Sequence, residues 1–314
     1  MAADTDTHPI RPEWLLPSRH YGCSAAIRNV APLFLLYALL PILADISPWL
    51  PWLLCPLLGL LIYRVSLVMH DCVHLTLLPD RANNKRMGLV LGAIIGVDFK
   101  EFSKQHRLHH QCYGAAHDPQ GFHYLGLAVM SRPALLWHYS KGLFGFNLRH
   151  TMHESIIAPH NLKRLIASGE IIIVMAIQTL ILLLVTGLFT NIIAGFSISY
   201  LVSHLHLALI PFVSAATFGL WFSQLRGMAE HGVWDDTSQL GHVRSHAPYW
   251  LDSILLHDVH FNYHREHHLY PQCPSVHLPA IHAALQQQAP ITDTPASMFT
   301  TLSSLYAASE SKHG

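Results

Sequence analysis

Charge is what this sequence has least of. Asp, Glu, Lys and Arg together supply 12% of its 314 residues, while apolar residues supply 51%. A soluble domain carries about 25% charge, so with a mean hydropathy of +0.29 the composition excludes an ordinary soluble protein and points to a membrane. Basic and acidic residues balance at 19 each, which leaves no net field for nucleic acid. Cysteine is also sparse. Cys23, Cys55, Cys72, Cys112 and Cys273 form no CxxC pair, which excludes a disulfide framework or a thiolate zinc site, and they read as reduced. No GxGxxG follows a strand-like segment, so a nicotinamide or flavin domain is not expected. The first 28 residues, with Arg11, Arg19 and Arg28, lack the small-residue pattern of a cleaved leader and read as a cytoplasmic tail.

What is present is long apolar runs and histidine. Residues 30–46 and 48–69 each approach the roughly 20 residues that cross a bilayer, with a turn at 45–48 between them. A second apolar block contains 169–189 and 192–222, with a turn near Gly187 and Asn191. The run 88–97 is too short to cross and reads as re-entrant or interfacial. Lysine and arginine fall in the tail, in 81–107, in 132–164 and after Arg226, whereas the turns at Asp45 and Thr190 carry none. The positive-inside rule therefore predicts an all-α integral membrane protein with four transmembrane helices in two hairpins. The chain is expected to be one membrane domain over 1–314, with 70–165 and 226–314 forming a cytoplasmic helical cap.

The 26 histidines outnumber lysine and arginine together, and three clusters stand out: His70–Asp–Cys–Val–His74, His106–Arg–Leu–His109–His110 and His264–Arg–Glu–His267–His268. Positions i, i+3 and i+4 share one helix face, so each cluster aims two or three imidazoles one way. A single HxxxH is weak, and His242–Val–Arg–Ser–His246 reads as a spacing coincidence in a loop. Three clusters flanking apolar runs are specific for metal, and they meet on one side only if 88–97 does not cross. His117, His123, His138, His150, His153 and His160 are expected to solvate the cap.

The stretch from His70 to about Pro279, with HDCVH, HRLHH and NYHREHHLYP, resembles the membrane fatty acid desaturase-like superfamily of histidine-box desaturases and hydroxylases. The resemblance extends to Ala229–Glu230–His231–Gly232, similar to a single-histidine ligand after the last span. It implies two irons held by His70, His74, His106, His109, His110, His231, His264, His267 and His268. Imidazole alone suits iron, zinc and copper alike; the family decides for iron, and nine nitrogens divide between two ions with room for O2. Asp71, Asp118, Glu230, Asp258, His260 and Glu266 are candidates to orient those ligands from outside. The implied function is oxygen-dependent desaturation of a lipid acyl chain, as acyl-lipid or acyl-thioester. Alternatives on the same scaffold are a hydroxylase, ketolase or fatty-acid decarboxylase, and outside enzymes a membrane metal protein. Transporters bind near the bilayer midplane, which disfavours the last. An external ferredoxin, rubredoxin or cytochrome b-type donor is implied, at a bacterial inner membrane or endoplasmic reticulum with the site facing the cytoplasm.

Overall fold

The structure is a computed structural model that describes residues 10–153, 161–232, 243–247, 249–250, 252, 258–288 and 296–308, leaving out the side chains of His153, Asp258 and Ala308. Every element among the described residues is a helix. Three are long and apolar enough to cross a membrane: α1 (Arg19–Ile46), α2 (Leu50–His74) and, further along, Ile198–His231. In α2, 61% of the apolar window is buried, against 28% in each of the others. So α2 is the central post, and its neighbours turn apolar faces outward at Leu35, Ile42, Val202 and Phe212.

Helix α1 starts at Arg19, well before the expected boundary at 30. The Ser18 hydroxyl accepts the Tyr21 N–H at 3.3 Å, and Gly22 packs directly on the Leu77 carbonyl. Part of the expected tail is therefore an N-terminal extension of the first long apolar helix. Helix α2 likewise runs past the expected 69 to His74 and stops where Leu75 turns left-handed, at φ 63°.

The short apolar run belongs to α3 (Arg81–Ile95), capped by Asp80, whose carboxylate accepts the Asn83 N–H at 2.7 Å. Left-handed Gly96 ends it, and the Val97 N–H returns to Gly92 at 2.8 Å. These 15 residues rise about 22 Å, short of the roughly 30 Å hydrocarbon core. Next comes α4 (Phe99–Cys112), whose N-cap Asp98 is gripped by Arg164 at 2.5 Å. Further along comes α5 (Arg132–Ser140).

Where 169–189 is expected to cross, α6 (Ile171–Val185) holds 15 residues. It stops before left-handed Gly187, which is packed against Pro41 and the Tyr200 hydroxyl. The span expected at 192–222 lies in α7 (Ile198–His231), which runs well beyond Phe222. The polar end stays helical with Arg226 and Glu230 paired at i,i+4, 2.7 Å apart, and largely buried within the protein. At Ala215–Gly219 α7 widens into a π turn, a feature frequent near functional sites. Gly59 of α2 sits against it, with Ser214 O 2.8 Å and Gly219 N 2.9 Å from where a Cβ would stand. The chain ends in α8 (His264–Leu269), α9 (Leu278–Gln288) and α10 (Met298–Ala308).

Two cap histidines are not solvated as expected. His123 and His138 are buried, and His138 donates from Nε2 to the His123 carbonyl at 2.8 Å. Burial lowers the His138 pKa to about 4.

Candidate metal centre

Four helix ends converge above the apolar bundle. The last turns of α2 carry His70 and His74, α4 carries His106, His109 and His110, α7 ends on His231, and α8 carries His264, His267 and His268. In an HxxHH cluster the i,i+4 pair lies about 40° apart around the helix, while the middle histidine is turned well away from one of them. The structure uses that offset. His106 and His110 join His70, His74 and His267, while His264 and His268 join His109 and His231; within each group one nitrogen from every ring lies within 4.8 Å of those of the others. The odd histidine of each HxxHH thus crosses to the other group. His110 stacks on His268 with centroids 4.2 Å apart, so the groups adjoin.

The spacing fits a first-row metal ion. Two ligands at right angles on bonds of about 2.1 Å stand about 3.0 Å apart. Nε2 to Nε2 distances are 3.0 Å for His74–His106, 3.0 Å for His106–His110, 3.1 Å for His110–His267 and 2.8 Å for His231–His264. Both ring nitrogens of His70 and of His268, and Nε2 of His109, are buried without a hydrogen-bond partner. Such groups are costly to leave unpaired, and a bound metal ion would satisfy them. Removal from water, reinforced by neighbouring imidazoles, holds His106, His264, His267 and His268 well below the ordinary histidine pKa. They are therefore neutral at pH 7, the form that ligates.

Of the carboxylates expected around the ligands, Asp118 touches one directly. His109 donates from Nδ1 to both its oxygens, at 2.9 and 3.0 Å, which leaves Nε2 bare toward the group. Burial pushes the Asp118 pKa up, but hydrogen bonds from His109, Tyr124 and the Gln120 N–H bring it below the usual value. Glu230 lies 3.4 Å from His264 Nε2 and is paired with Arg226. Asp71 is 4.0 Å from His70 Nδ1, too far for a hydrogen bond, and instead accepts the Ser275 hydroxyl at 2.5 Å. Glu266 accepts from His282 Nδ1 at 2.7 Å and from Ser245, binding α8 to α9. His260 stacks on Tyr21, and the left-handed backbone at Val259 and His260 leaves no continuous helix from there into α8. The side chain of Asp258 lies outside the described ones.

Sequence reading missed Gln120, Tyr124, Arg226 and Phe261. The Gln120 amide is 3.1 Å from His106 Nδ1, Arg226 Nη2 is 3.2 Å from His264 Nδ1, and Phe261 meets His70 edge-on at 4.5 Å. Only Arg226 left a signal, its i,i+4 spacing to Glu230 beside His231; the others sit in loops without periodicity. His242 lies outside the described residues. His246 lies in a loop and in neither group, as expected, but it is buried: its backbone N–H donates to the Asn262 carbonyl at 2.8 Å, so it is a structural residue.

Comparison with known proteins follows the same segment. A family model described as fatty acid desaturase matches residues 47–299. An omega-3 fatty acid desaturase, chloroplastic, of Brassica napus is 24% identical over 280 residues, covering 79% of this chain and 64% of that protein. An sn-2 acyl-lipid omega-3 desaturase (ferredoxin), chloroplastic, of Arabidopsis thaliana is 24% identical over 286 residues, covering 81% and 59% respectively. The chain spans about three fifths of the length of these curated relatives.

Proposed function

The chain belongs to the fatty acid desaturase family, and from that premise we propose that it is a membrane oxidoreductase that introduces a double bond into a lipid acyl chain. The observation that carries this reading is the closure of nine imidazoles from four helices into two adjoining groups with the spacing of ligands on single ions. We assign one iron to each group, ligated by His70, His74, His106, His110 and His267 in the first and by His109, His231, His264 and His268 in the second. Bound irons supply the redox chemistry that lets O2 take hydrogen from an unactivated methylene. The protein's residues prepare the place. Asp118 holds the proton on His109 Nδ1 and keeps its Nε2 a ligand. Buried Phe261 and the closed ring cluster keep water away from the ligands, which prevents side reactions.

The reaction fixes what else must come. Desaturation with full reduction of O2 to two waters takes four electrons and four protons. Two of each leave the acyl chain as hydrogen, and the other two electrons arrive from a donor, with two protons from water. Helix α4 offers a place for that donor: Lys100, Lys104 and Arg107 are exposed on the face opposite His106, His109 and His110, about one helix diameter away. An acidic ferredoxin, rubredoxin or cytochrome b-type protein fits this face. The ferredoxin named for the Arabidopsis relative supports the first.

The membrane arrangement is part of the same reading. The chain is one membrane domain of four spans in two hairpins, with α6 as the short third crossing: it carries no charged residue, whereas the equally long α3 begins with Arg81, Lys85 and Arg86, and local bilayer thinning accommodates its length. Helix α3 stays on the cytoplasmic side, so all three histidine clusters share one face of a bacterial inner membrane or endoplasmic reticulum. The test is expression in a host with native donors, followed by mass-spectrometric lipid profiling and iron analysis. New carbon–carbon double bonds and about two irons per chain are expected. An unchanged lipid profile from iron-loaded protein given a reducing donor would exclude the desaturase, and hydroxylated or shortened products would identify the alternative.

A further inference from the structure

Two of the long helices change from apolar to polar sequence at one level, α1 at Asn29 and α7 just after Phe222, and α2 places its first charged residue, Arg64, at that same level. These positions are joined in space: Arg64 Nε donates to Asn29 Oδ1 at 2.9 Å, and the rings of Tyr63 and Phe222 are 6.1 Å apart. From this level His70 lies about 9 Å further along α2, and His231 about 13 Å further along α7, by helical rise. The ligand cage therefore stands outside the hydrocarbon boundary.

The segment 132–152 is fastened at the boundary and not at the cage. Trp221 Nε1 donates to the Tyr139 carbonyl at 2.7 Å, and Asn147 Nδ2 donates to Gln224 Oε1 at 2.6 Å. Gly142 lies so close to α7 that a Cβ there would stand 3.0 Å from Trp221 Cα. From this buried polar seam the segment turns large apolar side chains outward. Phe144 is 67% exposed and Phe146 56%, with Trp137 and Met152 also exposed. Trp137 stacks on Phe144 at 6.1 Å and meets Phe146 edge-on at 5.1 Å. Exposed Arg149 borders an open groove of about 450 Å³ formed with Phe144, Phe146, Leu148 and Met152.

We propose that residues 132–152 are an in-plane membrane anchor, with Trp137, Phe144, Phe146 and Met152 seated among lipid at the headgroup–acyl boundary and Arg149 at the phosphates. The occupant is the phospholipid bilayer, because the apolar face continues at the same level as the outward apolar faces of α1 and α7. Aromatic rings with a basic residue above them are the composition that interface takes. A docking protein would instead be met by a face in water. The anchor holds the cap at a fixed height, so the cage stays close to the acyl chains it is to serve.

The proposal rests on reading α1, α2 and α7 as spans, and the test separates the two. Spin labels are placed singly at Phe144→Cys, Phe146→Cys, Leu35→Cys and Lys104→Cys, with native cysteines replaced by serine, in phosphatidylcholine–phosphatidylglycerol nanodiscs. Collision with O2 reports lipid, and collision with a chromium oxalate complex reports water. Labels at 144 and 146 are expected to match Leu35, with an oxygen-to-chromium ratio several-fold above Lys104. Labels at 144 and 146 that match Lys104 while Leu35 stays in lipid would overturn the anchor alone. Chromium-accessible labels that become shielded only when a ferredoxin is added would overturn it in favour of a protein partner. A Leu35 label in water would overturn the spans and the anchor together.

Discussion

His109 shows how little a ligand can do by itself. Its ring is correctly presented because Asp118 accepts the Nδ1 proton and is in turn held by Tyr124 and the Gln120 N–H. Asp118→Asn keeps the shape and loses the charge. Iron affinity is expected to fall about 10- to 100-fold, read as iron retained after dialysis against a graded chelator, with the far-ultraviolet circular dichroism unchanged. His109→Ala and His267→Ala are expected to abolish desaturation while leaving membrane-inserted protein; full activity in either would remove the proposed site. Acid sensitivity also belongs to this scale. His138 and His246 are pushed down to about 4 by burial, below the ordinary value of about 6.5. Above pH 6.5 both folded and unfolded chains hold them neutral, and stability is insensitive to them. Below it the unfolded chain binds protons that the folded chain refuses, so stability is lost as pH falls from about 6.5 toward 4. Thermal unfolding of metal-free protein in detergent should show Tm flat above that window and falling within it; a Tm that rises on acidification would contradict the burial of these rings.

Helix α4 does two jobs on two faces. Its inner face gives three ligands and its outer face gives Lys100, Lys104 and Arg107, partly offset by Glu101, which pairs with Lys104 at 3.0 Å. Reversing Lys100 and Arg107 to glutamate is expected to raise the apparent KM for an acidic donor and to weaken its salt dependence, with iron content unchanged. An unaltered KM would move donor docking elsewhere. The contact of α2 with the π turn of α7 is as tight as backbone allows at Gly59. Gly59→Ala must push Phe218 and the α7 backbone away, at a cost of about 1–3 kcal/mol, visible as a lower unfolding temperature in detergent. A neutral result would mean that the two helices separate freely at this level.

For the molecule as a whole, everything depends on which polar segments share a side. Asn84, in the first turn of α3, is buried and holds the backbone of Leu77 and Leu78, so exposed Lys85 is the reporter position. Cysteines at Lys85 and Lys104 are expected to react with a cytoplasmic thiol reagent, and cysteines at Pro48 and Thr190 to react only from the opposite side. Labelling of Lys85 and Lys104 from opposite sides would place the first two histidine clusters across the bilayer from each other, and one shared centre could not form.

Local sequence was enough for whatever depends on near neighbours along the chain. Helical spacing grouped the histidines of each cluster, the length of 88–97 argued against a crossing, and apolar runs located the long helices. Their ends were out of reach, because Arg19–Arg28 and Gln224–His231 stay helical through contacts with Leu77 and within the Arg226–Glu230 pair, not through apolar character. The same limit applies to the division of the cage. Spacing says that His106, His109 and His110 lie near one face, but only the crossing of α2, α4, α7 and α8 sends His109 to one group and its two neighbours to the other. Partners such as Asp118, Tyr124 and Arg226 were decided by tertiary structure for the same physical reason: a hydrogen bond between side chains from loops and distant helices leaves no period in the sequence, and burial, which makes that bond matter, exists only once the helices have packed.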